Sequence, residues 1–426
     1  MELAGSLPNH EIVAVVGDRA SNERGAREIA VSEGNSLFAV ACASHGLHNI
    51  IKKICALPEV SEVIDLAKQV VKELTKRTVK SVLRKYLKAN TVDGPKGEKI
   101  PAPCRMLTLY FDVRWGSVLT MLERIILAET PLKLLYSIEC LLPPVGKKLE
   151  VGPSFSTAMI DADLGFFVKI RKAALLLSPF VAALVETESP TTNAAIVYSR
   201  ISMLSECSNC IAEAQFGLSF ANDVANILEK EIKILVSPLM HMAYLLDATQ
   251  YLNESNIVLK NRFPSKAMQF KGLQLDCLRQ YCKGDVDAVS KLDQQLYDWK
   301  NKSGPLFDNP QIGGEAKELL KRLQTSESAR RMELNAQFWR EMGVAVPELR
   351  ELALTLNFVT AGAADGERNF SLYGDTSQNR ESLDKARRDM LVFIRHNKRI
   401  VDDHIKQGIK MMLSQLLMWM MKTGID

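Results

Sequence analysis

The chain has 426 residues, of which 47% are hydrophobic and 24% are charged. This composition is typical of a globular protein and excludes a largely disordered chain, and the length suffices for two or three domains. The formal net charge is only +4, too small to require a polyanionic partner, so any contact with nucleic acid must come from local basic patches. Aromatic residues make up 7% of the chain, while Leu, Ala and Met are common, so we expect helix to predominate.

No stretch of the sequence predicts a secretory signal or a membrane span. Residues 1–10 lack the basic start and apolar core of a signal peptide, and lysines interrupt the longest apolar-rich stretch, residues 405–421. We therefore expect a soluble intracellular protein with no membrane partner. Its eight cysteines have no regular spacing, which predicts reduced thiols, and Cys207 and Cys210 have no second pair or neighbouring His that would predict a zinc site.

The first predicted structural unit is a β-α-β unit within residues 11–45. Residues 12–16 and 37–42 are short apolar runs, typical of strands buried on both faces of a parallel sheet, and residues 19–33 between them have a helical pattern. Asp18 is then expected at the carboxyl end of the first strand, where open α/β sheets place ligand and metal groups. An Asp at this position is also a common helix N-cap.

From residue 47 to about residue 340 the pattern is helical almost throughout. The densest basic patch of the chain lies in this region and consists of Lys76, Arg77, Lys80, Arg84, Lys85 and Lys88. Such a patch could lie along a phosphate backbone, but a helix face that contacts only solvent has the same pattern.

A cluster of small residues at 361–366 precedes Glu367 and Arg368, after a helical pattern over 349–359. Small residues permit the close approach of a backbone or a ligand. The adjacent carboxylate and guanidinium could bind a metal and a phosphate, although an ordinary helix start with a surface ion pair would have the same residues.

The region from 338 to 397 contains an ordered set of motifs. Trp339 is followed by residues 367–371 (Glu-Arg-Asn-Phe-Ser), by Asn379-Arg380 with Leu383, and by the apolar run 390–394 with Asn397. This block resembles the C-terminal block of hAT-superfamily DNA transposases. In that family the Glu is the last carboxylate of a DDE metal site on an RNase H-like fold, and the block contributes to subunit association. The resemblance gives this place to Glu367, although Gly366 stands where Ser is common.

Two segments near the N-terminus resemble motifs of the same family. Residues 16–22 (Val-Gly-Asp-Arg-Ala-Ser-Asn) are similar to the strand that carries the second catalytic Asp, which implies a metal ligand at Asp18. Residues 42–51 resemble a Cys-x-x-His signature, which implies an active-site position for His45. A His at the start of a helix can equally be a residue whose ring is satisfied locally.

Further motifs of this family resemble segments of the helical region. Residues 111–124 are similar to the start of the family's helical insertion, where a Trp near the active site is associated with holding a flipped DNA base. The resemblance implies DNA contacts by Arg114 and Trp115, together with His45 and Arg368; without it, Trp115 would be interpreted as a core residue. Residues 188–191 and 238–247 resemble later landmarks of the insertion.

The resemblance predicts an α/β fold with a large α-helical insertion: a partial, truncated RNase H-like fold that is predominantly helical overall. We expect a partial RNase H-like β-α-β unit at 1–45, the helical insertion at 46–337, and a C-terminal RNase H-like and dimerisation block at 338–426. The family's first catalytic Asp lies well before the second, and only Glu2 and Glu11 are acidic before Asp18. We therefore expect an N-terminal truncation.

Two functions follow from the resemblance. The first is a catalytically incomplete, nuclear, transposase-derived protein that acts through association with itself or a related hAT-type chain, with residual DNA binding. The alternative is a DNA transposase that uses Mg²⁺ or Mn²⁺ held by Asp18 and Glu367, with its first Asp in a missing N-terminal segment. A candidate association face consists of Ile405, Ile409, Met412, Leu413, Leu416 and Trp419.

Overall fold

The structure is a computed structural model of the chain. It describes residues 13–18, 21–34, 37–89, 91–93, 99–101, 106–110, 116–141, 148–161, 165–189, 192–248, 264–301, 303–308 and 328–362. The chain divides into two compact units, 1–362 and 363–426, and all of the described residues belong to the first.

The predicted β-α-β unit is confirmed. Strand β1 (Ala14–Gly17) is followed by helix α1 (Ser21–Ser32) and strand β2 (Phe38–Ala41), and the two strands pair in parallel from Ala14 opposite Phe38 to Gly17 opposite Ala41. The prediction that both faces of β2 are buried was wrong, because Phe38 and Val40 are buried whereas Ala39 is exposed. Successive side chains of a strand point to opposite faces, so only one face of β2 contributes to a core.

The other described elements are helices, apart from a small antiparallel hairpin of β3 (Thr91–Asp93) and β4 (Lys99–Pro101). The helices before residue 190 are α2 (Ala43–Cys55), α3 (Pro58–Leu74), α4 (Arg77–Ala89), α5 (Gly116–Leu127), α6 (Glu129–Leu135), a π-helical segment (Tyr136–Leu141), α7 (Pro153–Ile160) and α8 (Phe167–Thr187). The later helices are α9 (Ala194–Phe216), α10 (Leu218–Leu235), α11 (Pro238–Leu245), α12 (Pro264–Tyr281), α13 (Val286–Asn301), α14 (Ser328–Met342), a short 3₁₀ helix (Gly343–Ala345) and α15 (Pro347–Asn357). The described chain is thus predominantly helical, as predicted.

Two hydrophobic cores hold these elements together. The first lies among α2 to α10 and buries several large aromatic side chains, among them Phe155, Phe167 and Phe180. The second joins β2 to residues of α9 to α15 and is centred on Trp299, Phe338 and Trp339. Helix α9 contributes its first turns to the second core and its later turns to the first, so it connects the two.

The predicted domain boundaries remain predictions. Residue 338, the expected start of the third domain, lies inside α14, and Phe38 of the expected first domain shares the second core with helices of the expected insertion. Among the helices that the structure describes, none is both long enough and apolar enough to cross a membrane.

Candidate functional site

Asp18 directly follows β1, at the carboxyl end of the parallel strand pair. Its backbone N–H donates to Glu23 Oε2 at 2.7 Å, and the guanidinium of Arg27, only 6% exposed, donates to its backbone carbonyl. A Cβ atom on Gly17 would lie 2.7 Å from Arg27 Nη1, so a larger residue there would displace the Arg27 side chain. Because α1 begins at Ser21, the position directly before the helix is residue 20 rather than Asp18. The side chains of Glu23 and Arg27, both on α1, therefore hold the backbone at Asp18 in place.

His45 lies in the first turn of α2, at the same edge of the sheet as Asp18. The edge is closed by a hydrogen bond from the backbone N–H of Cys42 to the carbonyl of Gly17, at 2.7 Å, and α2 begins at the next residue. His45 is half-buried. The structure therefore places Asp18 and His45 at neighbouring strand ends, and the position of Asp18 at the carboxyl end of a parallel strand is the one predicted for it.

The chain returns to this edge after α15. The backbone N–H of Ala43 donates to the carbonyl of Ala361 at 2.7 Å, and the N–H of Ala194 donates to the carbonyl of Val359 at 2.8 Å. We call residues 359–362 the return segment. Its last residue, Gly362, lies against the backbone of Thr187 at the end of α8. The return segment is thus hydrogen-bonded to the first residues of both α2 and α9.

Three buried asparagines hold the chain just before the return segment. Asn357, the last residue of α15, accepts a hydrogen bond from Asn335 Nδ2 at its side-chain oxygen and donates to the carbonyl of Met332, each at 2.8 Å. Asn193, the N-cap of α9, donates to the backbone carbonyl of Asn357 at 2.8 Å, and Asn335 accepts from the N–H of Ala248 at 2.9 Å. The sequence analysis missed this network, because its members come from separate helices and follow no motif.

A histidine and a glutamate form a second feature of the same region. His48 lies one turn after His45 on α2, and its Nε2 is 3.5 Å from Glu188 Oε1, in the residue that follows Thr187. His48 Nδ1 is buried and has no hydrogen-bond partner among the protein atoms that the structure describes. Both residues lie in segments that resemble family motifs, but no sequence pattern indicates their contact.

His241, on α11, has a structural role. Its ring lies 2.9 Å from the hydroxyl of Tyr198 and 3.3 Å from Gln274 Nε2, and Lys300 donates to the Gln274 side-chain oxygen. Burial, together with the neighbouring positive charge of Lys300, lowers the pKa of His241 to about 3. The imidazole therefore stays neutral at ordinary pH and serves as a buried polar link among four helices.

Several predicted site residues lie outside the described residues: Arg114, Trp115, Glu367 and Arg368. The metal pair of Asp18 and Glu367 and the DNA contacts therefore remain predictions. The described part of the chain holds no group of three or more His, Cys, Asp or Glu side chains that could bind a metal. Near Asp18 the described charged groups are the carboxylate of Glu23 and the guanidinium of Arg27, so a divalent cation there would need further carboxylates.

The cysteines follow the sequence expectation. All seven that the structure describes are free thiols, and Cys207 and Cys210 are exposed on α9. Burial raises the pKa of the Cys55 thiol to about 12, so this group stays protonated at neutral pH.

Replacing Gly362 with Ala is expected to lower the free energy of unfolding by about 1–3 kcal/mol, because the new methyl group would overpack a closed contact. The added Cβ would lie 2.8 Å from the backbone carbonyl oxygen of Thr187, which cannot move aside as a flexible side chain could. Urea unfolding followed by far-UV circular dichroism would measure the change.

Gly272→Ala is the matched control. Gly272 lies within α12, and its added Cβ would meet no atom within 4 Å. Alanine is the better helix former by about 1 kcal/mol, so this variant should be neutral or more stable. Equal stabilities of the two variants would show that the contact between Gly362 and Thr187 is not tight.

Comparison with known proteins adds no family assignment. No family model matches the chain, and no curated protein matches its sequence. We therefore infer function from the arrangement of Asp18, His45 and the return segment.

Proposed function

We propose that this chain is derived from a hAT-superfamily transposase and acts through association with a second copy or a related chain, with DNA contacts near Asp18. The observation that carries the proposal is the return segment. It joins the carboxyl edge of the β-α-β unit after a long helical body, through the hydrogen bond from Ala43 to Ala361. This order of elements is the one that the sequence resemblance implies, with a helical insertion between the strand of the second Asp and the block of the last carboxylate.

Chain geometry is compatible with this proposal. Glu367 follows Gly362 by five residues, and an extended chain covers about 3.5 Å per residue. Glu367 is therefore separated from the return segment by no more than about 18 Å of chain.

Light scattering tests the association. The mass of the full chain, measured by size-exclusion chromatography with multi-angle light scattering, should rise with protein concentration. The double variant Ile409→Asp with Leu416→Asp, on the apolar face proposed from helical spacing, should remain monomeric. The matched control, Gln407→Asp with Ser414→Asp, adds the same charge on the opposite side of that helical pattern and should associate like the parent chain. A parent chain that is monomeric at high concentration would contradict the proposal.

The position of Asp18 favours one alternative function, metal-dependent DNA cleavage. A carboxylate at a strand end, close to the point where the chain leads on to Glu367, is where such chemistry would place a metal ligand. Supercoiled plasmid incubated with Mg²⁺ or Mn²⁺ would show nicking if this function is retained. If the parent chain nicks the plasmid and both Glu367→Gln and Asp18→Asn abolish the nicking, the primary function of the chain is DNA cleavage and not association.

A further inference from the structure

Helix α4 (Arg77–Ala89) has one apolar side and one basic side. Val79, Leu83 and Leu87 are buried in the first core, and α4 packs there against α3 and α6. The opposite side carries basic residues that we call the α4 basic face: Arg77, Lys80, Arg84, Lys85 and Lys88. All of these side chains are exposed except Lys80, which is half-buried. The inward side is thus fully used for packing, and the charged side faces solvent.

The basic residues form a regular stripe. Arg77, Lys80, Arg84 and Lys88 are spaced by three or four residues, which aligns them along one side of the helix. From Arg77 to Lys88 the helix rises by about 16 Å, at 1.5 Å per residue. A DNA duplex carries about one negative charge per 1.7 Å of its axis, so the stripe is long enough to face several phosphates.

No carboxylate on α4 offsets this charge, since the helix contains neither Asp nor Glu. In the described part of the chain, none of the five side chains takes part in an ion pair, whereas Lys53, Arg171 and Arg200 each have a carboxylate partner.

Two acidic residues beside α4, Glu73 and Glu139, are engaged by other groups. Glu73 accepts hydrogen bonds from the N–H groups at the start of α7, at 2.8 Å from Phe155 and 3.3 Å from Ser154. Glu139 accepts from the hydroxyl of Tyr86, which belongs to the other side of α4. The α4 basic face therefore keeps its positive charge.

Helix stability does not account for this arrangement. Lys80 and Arg84, like Arg84 and Lys88, are four residues apart, a spacing at which like charges repel. Arg77 lies at the helix N-terminus, where a positive charge is unfavourable. A helix selected only for contact with water would be more stable with some acidic residues at these positions.

We propose that the α4 basic face binds the phosphate backbone of a nucleic-acid duplex. The rigid stripe of cations suits a regular row of phosphates, and contacts of this kind do not depend on base sequence. Single strands are a poorer match because the face offers no free aromatic ring for base stacking. A membrane surface is also a poorer match because the apolar side of α4 is buried and cannot insert into lipid. The inference depends only on charge and position and is independent of the transposase proposal.

Fluorescence anisotropy with the full chain and a labelled duplex of about 20 base pairs tests this inference over a range of salt concentrations. The variant is Arg77→Gln with Arg84→Gln and Lys88→Gln. The matched control is Lys169→Gln with Lys230→Gln and Lys233→Gln, which removes the same charge from exposed positions on α8 and α10. At about 0.1 M salt the α4 variant should bind at least tenfold more weakly than the parent chain, and its salt slope should fall by about 2.7, or 0.9 per lost contact. The control should stay within about threefold.

Equal weakening by both variants would overturn the inference, because net charge alone would explain it. A parent chain that binds only single strands or only anionic vesicles would also overturn it. Far-UV circular dichroism should be identical for both variants, since all of the changed side chains are exposed. Light scattering of the α4 variant should match the parent chain, so a failure of this inference and a failure of the association proposal give different results.

Discussion

Replacing Trp339 with Ala should lower the free energy of unfolding by about 3–5 kcal/mol, the loss typical of a large aromatic side chain removed from a core. Trp339 is fully buried in the second core. Its ring centroid lies 4.8 Å from that of Trp299 and 5.5 Å from that of Phe338. Its indole N–H donates to the backbone carbonyl of Leu246 at 2.7 Å. The substitution would therefore leave a cavity and an unpaired carbonyl together.

Two further variants separate these contributions. Trp339→Phe keeps most of the apolar contact but loses the donor to Leu246, so about 1–2 kcal/mol should be lost. Tyr297→Ala removes an aromatic ring that is 62% exposed on α13 and should change stability by no more than about 0.5 kcal/mol. Urea unfolding followed by far-UV circular dichroism measures all three. A loss below about 1 kcal/mol for Trp339→Ala would contradict the packing described for the second core.

The elements that sequence predicted well are those with strong local patterns. The two apolar runs around a helical pattern became β1, α1 and β2, and Asp18 lies at the predicted end of the first strand. The basic and apolar sides of α4 were likewise readable from helical spacing. In each case residues close in sequence determine the structure, so periodicity is sufficient.

The parts that sequence did not predict depend on contacts between distant residues. The pairing of His48 with Glu188 and the docking of Gly362 against Thr187 each join separate elements. Exposure of Ala39 depends on which face of β2 other elements cover, and an apolar run alone does not encode this. A resemblance between motifs can give the order of such segments, but not the hydrogen bonds that fix them.

Replacing Asn357 with Ala should lower the free energy of unfolding by about 2–4 kcal/mol, since two hydrogen bonds are lost and a buried donor is left unpaired. The lost bonds are those from Asn335 and to the carbonyl of Met332, each at 2.8 Å. Both Asn335 and Asn357 are buried, so water cannot readily replace either partner. Asn301→Ala is the matched control because its side chain is exposed and donates only to Tyr297 in the preceding turn; it should cost no more than about 0.5 kcal/mol.

A double-mutant cycle would establish that the two asparagines act together. Asn335→Ala with Asn357→Ala should cost less than the sum of the single changes, because no unmatched amide then remains between them. If the losses of stability in the two single variants add up to the loss in the double variant, Asn335 and Asn357 contribute no coupling energy to stability.

Asn357→Ala should also loosen the return segment, because the Asn357 side chain, two residues before that segment, links the end of α15 to Asn335 and to the carbonyl of Met332. Hydrogen exchange should be faster at the N–H groups of Ala43 and Ala194, which donate to Ala361 and Val359. In Trp339→Phe, which leaves the asparagines in place, these two groups should exchange faster only to the extent that global stability falls. If exchange at the N–H groups of Ala43 and Ala194 is unchanged in Asn357→Ala, the hydrogen bonds to Ala361 and Val359 hold the return segment without a contribution from the Asn357 side chain. An acceleration beyond the global effect would make the buried asparagines the residues that keep the return segment against the first residues of α2 and α9.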